Sequence, residues 1–141
     1  MFVLYESPEL YQTYATVSKR YSIPFLATTN LWARGSSCEE VTPADTLLFA
    51  VPEITPDAWN SAYCAAIKNL NPGISVMLVH LGFDDDELAS ISGKNSEFGS
   101  AWRQRDYDLV MSAEFKNELQ ENRVKLIGWR DWPGTEYNRI R

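Results

Sequence analysis

"NPGISVMLVHLGFDDDE", residues 71–87, sets a turn, a buried strand and an acidic loop one after another. Asn71-Pro72-Gly73 ends a preceding helix, because proline cannot continue it and glycine tolerates the left-handed backbone that follows. Ile74 to Leu81 is apolar or β-branched almost throughout, the composition of a strand covered on both faces, as in parallel sheets. His80, the single histidine of the chain, stands near the C-terminal end of that run. Parallel α/β sheets bind ligands outside the C-terminal ends of their strands, which makes His80 a candidate acid–base residue. A partly buried imidazole satisfied by a neighbouring carbonyl fits the position as well, and the sequence alone leaves both readings open.

Outward from this stretch, helix and strand signals alternate. Ser7-Pro8-Glu9 is a helix start, with a capping serine, proline at the first helical position and an acid in the first turn. Tyr11, Tyr14, Val17, Ser18 and Tyr21 follow at helical spacing, and "PFLATTN" (24–30) reads as a short strand. Residues 31–45 carry Gly35, Cys38 and Pro43 without periodicity, as a long loop does. "TLLFAV" (46–51) reads as a buried strand, and Thr55-Pro56-Asp57 opens a helix that places Trp59, Tyr63, Ile67 and Leu70 near one face. A short helix capped by Asp84 or Asp85 is expected over 84–92, a longer one over 100–121, and a closing strand at "VKLIGW" (124–129). The expected class is α/β: an open parallel sheet of about four strands flanked by helices, or a partial (β/α) barrel, in a single domain spanning 1–141. A complete eight-stranded barrel typically takes about 250 residues, well beyond the 141 present.

Composition narrows the function. Apolar residues make up 45% and charged residues 23%, the balance of a folded domain. A net charge of −6 argues against nucleic acid as a partner, since phosphate binding rests on clustered Lys and Arg. The start of the chain lacks a basic segment followed by an apolar one, and no apolar run is long enough to span a bilayer, so a cytoplasmic protein without membrane contact is expected. Cys38 and Cys64 form neither a CxxC pair nor a disulfide framework.

Several chemistries have no support. There is no GxSxG nucleophile elbow, P-loop or dinucleotide fingerprint. One histidine cannot supply a three-histidine or two-histidine zinc site, so no metal ligand is assigned. Asp84, Asp85, Asp86 and Glu87 carry hard oxygen donors, but they lack the alternation and glycine of a calcium loop and suit a solvated helix N-terminus better. Arg103 and Arg105, two positions apart on a helix, point to different faces. Arg105 with Asp108 is spaced either as a surface ion pair or as part of a site.

"NPGISVMLVHLGFDDDE" together with "FGSAWRQRDYDLVMSAEFKNELQENRVKLIGWR" (98–130) resembles the C-terminal half of the YdjC-like (ChbG-type) carbohydrate deacetylases. The shared features are Pro72-Gly73, a buried strand ending in His80, an Arg-x-x-acid-Leu element (Arg105, Asp108, Leu109) on a helix, and a helix ending before a final "LI" strand. Pro24 after "SKRYSI" resembles the family's helix leading to a strand that ends "IP". The resemblance implies a (β/α) barrel in which a divalent metal, Mg or Zn, activates water against an acetamide carbonyl of a sugar. It implies catalytic roles for His80 and Arg105. The family's early Asp-Asp element and His-x-x-x-His region, which hold that metal, do not occur here, so the chain itself carries no cofactor. The implied reading is a deacetylase half, inactive alone, which pairs with a missing N-terminal half or with its own copy. A non-catalytic carbohydrate-binding or assembly module, using Trp32, Trp102, Trp129 or Trp132 against sugar faces, is the alternative. A plain interaction domain is the third reading.

Overall fold

The computed structural model describes residues 7–21, 23 and 44–131. Among them are five α-helices and one two-stranded parallel sheet, so the α/β class holds. The described residues divide into two compact units: those within 7–46, 73–75 and 126–131 belong to one, and 47–72 with 76–125 form the other.

In the first unit, helix α1 (Pro8–Tyr21) starts as its capping signal requires. The Leu10 amide donates to Ser7 Oγ at 3.3 Å, and Ser7 Oγ donates to Glu9 Oε2 at 3.0 Å. Tyr11 and Ala15, four residues apart, are its buried face, whereas Tyr14, Val17 and Tyr21 are exposed. Of the residues at helical spacing Tyr11 alone is buried, and Ala15, a small residue that carries little apolar weight in a pattern, joins it one turn on. Further along the same unit, the Asp45 amide donates to the Ile74 carbonyl at 2.7 Å and Asp45 Oδ2 accepts from the Ile74 amide at 2.8 Å. Gly73 stands beside this carboxylate at φ 145°, where a Cβ would fall 2.3 Å from Asp45 Oδ2, so the turn requires glycine.

Strands β1 (Thr46–Phe49) and β2 (Ser75–Leu78) lie within the two runs expected of them. Between them comes α2 (Trp59–Lys68), entered through a single 3-10 turn at Pro56–Ala58. Helices α3 (Asp86–Ser92), α4 (Ser100–Met111) and α5 (Ala113–Glu121) follow. The core of the second unit joins Trp59, Tyr63, Cys64 and Ile67 of α2 to Trp102 and Leu109 of α4 and Phe115 and Leu119 of α5. Trp59 meets Trp102 edge to face at 4.8 Å between ring centroids. Burying side chains of this size stabilises the unit by about 1.5–3 kcal/mol each.

Three expectations need correction or lie beyond the described residues. The single helix expected over 100–121 is two, because Ser112 adopts an extended backbone (φ −64°, ψ 147°) and caps α5 by accepting from the Phe115 amide at 3.1 Å. Residues 124–128 form no strand. Helix α5 ends with Arg123 in the left-handed region (φ 55°), its amide donating to Gln120 O at 3.0 Å and the Val124 amide to Leu119 O at 2.8 Å. This helix-closing pair of bonds ends α5, and Leu126 beyond it is 77% exposed. The strand expected at 24–30 lies outside the described residues. The sheet of about four strands is therefore two among the described residues, and a barrel is not shown.

Candidate functional site

His80 follows β2 by two residues, at the end of the strand where the sequence placed it. Its backbone amide donates to Asp106 Oδ2 at 2.7 Å, and its imidazole Nδ1 stands 3.9 Å from the same oxygen. The ring leans on Phe98, centroid to centroid 4.5 Å. Asp106 is 1% exposed and His80's side chain 30%, so a fixed carboxylate lies beneath an imidazole that still reaches solvent.

The carboxylate is held from its other side. Trp59 Nε1 donates to Asp106 Oδ1 at 3.0 Å, so each carboxylate oxygen accepts one N–H. Burial pushes the Asp106 carboxyl above the ordinary carboxylate range. The His80 amide and the Trp59 indole, followed by the imidazole and the nearby Trp102 indole, act the other way by favouring the anion. Tyr63, on the next turn of α2, has its phenol pushed up to about 12, by burial first and then by the negative charge of Asp106.

Arg105 and His80 both reach the Trp59–Asp106 cluster, but the groove that Arg105 lines does not include His80. The Arg105 guanidinium lies over the face of Trp59, 4.8 Å from the ring centroid, a cation–π contact. Its Nε is buried without a hydrogen-bond partner. The side chain lines a groove of about 450 Å³ together with Asp57, Asn60, Ser61, Asp108 and Glu114. Asp108 takes a hydrogen bond from Gln104 at 2.8 Å. Arg103, as its spacing required, faces elsewhere and donates through Nε to the Phe98 carbonyl at 2.8 Å. Phe98, which stacks on His80, is thereby held by α4.

The acidic run behaves as a helix start. Asp85 caps α3 by accepting from the Leu88 amide at 2.8 Å, with Asp86 and Glu87 in the first turn. Asp84 accepts from Ser100 Oγ at 2.6 Å and pairs with Lys94 at 3.2 Å. The Ser100 hydrogen bond, with Lys94 behind it, holds the Asp84 carboxyl below the ordinary range. Among the aromatic residues considered for sugar stacking, Trp102 is buried, Trp129 is 53% exposed, and Trp32 and Trp132 lie outside the described residues.

Asp106 is the member that the sequence reading passed over. Its signal was present: Trp102, Asp106 and Leu109 follow one another at i, i+4 and i+7, so a lone acid occupies the core register of a helix. Among the described residues no three His, Cys, Asp or Glu side chains converge as a metal site requires, so they do not fit the metal that the family resemblance implies. No described helix is long and apolar enough to cross a membrane.

No protein-family model matches the chain, and no curated protein matches it. A solved structure shares its fold. It is a crystal structure from Enterococcus faecalis V583, titled a putative cellobiose-phosphate cleavage protein (EF3048), with a TM-score of 0.59 and 17% identity. The match covers 90% of this chain and 48% of that one, so the chain spans about half of that protein's length.

Proposed function

We propose that the chain, as one domain, is the C-terminal half of a metal-dependent carbohydrate deacetylase of the YdjC-like type. The observation that carries this reading is His80: it stands just past a parallel strand, clamped by a buried carboxylate, in a fold shared with half of the EF3048 protein. That neighbour is described as a putative cellobiose-phosphate cleavage protein, which supports a carbohydrate substrate. In this reading the half of the fold that the chain does not span supplies the metal ligands. His80 gives a proton to the departing sugar amine as the acetamide C–N bond breaks. Arg105 supports the site through Trp59, which donates to the Asp106 carboxylate that in turn accepts the His80 amide. An isolated chain is then inactive, and it is completed by the other half of the fold or by self-association.

The test is acetate release from N-acetylated sugars with Mg or Zn present, using this chain mixed with a polypeptide that supplies the other half. Activity is expected from the mixture, none from the chain alone, and a loss of at least about 100-fold on His80→Ala. Undiminished activity of His80→Ala, in the mixture or in a full-length protein of this fold with the matching histidine replaced, refutes the role.

A further inference from the structure

We propose that Asp106 is a positioning residue that fixes the His80 ring with Nδ1 toward the carboxylate and Nε2 toward solvent, so that Nε2 is the atom that meets a ligand. Three observations converge. Asp106 Oδ2 accepts the His80 backbone amide at 2.7 Å, so the carboxylate and the residue it orients move as one. Nδ1 lies 3.9 Å from that same oxygen, and Oδ1 is already committed to Trp59 at 3.0 Å. The Phe98 ring, 4.5 Å away and tilted by 38°, closes one face of the imidazole.

The chemical consequence is a choice of tautomer. A neutral imidazole carries one N–H, and the nitrogen facing an anion keeps it, because the opposite arrangement would point a lone pair at a carboxylate. Nδ1 therefore holds its proton in both charge states, and the proton that comes and goes is the one on Nε2. In an amide hydrolysis that proton passes from Nε2 to the leaving nitrogen, and the imidazolium becomes the Nδ1–H tautomer with its pair of electrons left on Nε2. The transfer to a leaving amine rests on the proposed deacetylase reading, whereas the tautomer does not.

A single histidine makes the test clean. The chain, labelled with nitrogen-15 in histidine, is observed by two-bond proton–nitrogen correlation at a pH about two units above the ordinary imidazole value of roughly 6.5. The expected spectrum has Nδ1 in the protonated, pyrrole-like position and Nε2 in the pyridine-like position. Asp106→Asn, which presents an amide where the carboxylate stood, should bring the Nε2–H form to at least half the population, whereas Trp59→Phe, which keeps the carboxylate, should leave Nδ1–H dominant. A wild-type spectrum dominated by Nε2–H overturns the proposal, as does an Asp106→Asn spectrum identical to wild type. Should Asp106→Asn fail to fold, the wild-type and Trp59→Phe spectra still decide, because Nε2–H dominance in either one overturns it. Failure of the acetate assay would leave these spectra unchanged, so the two readings fail separately.

Discussion

Replacing Trp59 by Phe isolates the contact that anchors the candidate site. Trp59 is 2% exposed and donates its indole N–H to the buried Asp106 carboxylate at 3.0 Å. Losing a hydrogen bond to a charged acceptor costs about 1.5–3 kcal/mol. The smaller ring leaves a void on the order of 40 Å³, which at about 24 cal/mol per Å³ adds roughly 1 kcal/mol. Phe keeps an aromatic face for Arg105 but a weaker one than Trp, a loss of about 0.5 kcal/mol. The sum is about 3–4.5 kcal/mol, to be measured by urea unfolding near neutral pH. The penalty should also depend on pH in a defined direction. Asp106 already ionises above the ordinary carboxylate range, so its proton stabilises the fold at low pH and that contribution is lost as pH rises through the carboxylate window. Removing one donor to the anion raises it further, so the Trp59→Phe penalty grows from about pH 4 upward. A loss below about 1 kcal/mol, or a penalty that shrinks with rising pH, refutes the anchoring role.

Three further outcomes follow from the same geometry. Ser112→Ala removes the side chain that accepts from Phe115 and should cost about 1 kcal/mol in urea unfolding, with the start of α5 fraying first in hydrogen exchange. Tyr63, with its phenol pushed up to about 12, should stay protonated by ultraviolet absorbance well above the ordinary value of about 10. Its raised value means that the neutral phenol stabilises the fold below the ordinary value of about 10, and this contribution is lost as pH rises toward 12. Arg123→Gly relieves a left-handed backbone at the close of α5 and should leave stability unchanged or raise it by up to about 1 kcal/mol, against the usual loss at a helix end.

The sequence was most legible where a residue's chemistry acts on its own backbone. Ser7 and Asp85 punctuate helices through hydrogen bonds three residues away, and the structure shows both at their expected places, whereas α2 closes at Asn69, ahead of the Asn71-Pro72-Gly73 turn. Strand β2 was legible because a continuous apolar run between turn signals has few other uses. The segment 124–129 has the same apolar character, but a strand needs a neighbour, and nothing within those six residues says whether one is present. The break at Ser112 was readable as a capping serine followed by an acid, a signal outweighed by the helical period on either side. At the site, His80 drew notice as the single histidine, whereas Asp106 carried only the weak signal of an acid in core register with Trp102 and Leu109, and the fold shows it 1% exposed beneath the imidazole. The division of Arg103 and Arg105 between two surfaces followed directly from helical geometry, although Trp59 as the partner of Arg105 did not.

The most direct measurement is a titration of the His80 ring resonances with the N-acetylated disaccharide of glucosamine. A saturable shift of the His80 ring signals, with Phe98 following and the helix-end residues near Arg123 unmoved, is the expected result for an imidazole that serves an acetamido sugar. Ring resonances that stay fixed up to roughly 50 mM sugar, well beyond the ~1 mM regime of weak ligands, would contradict it.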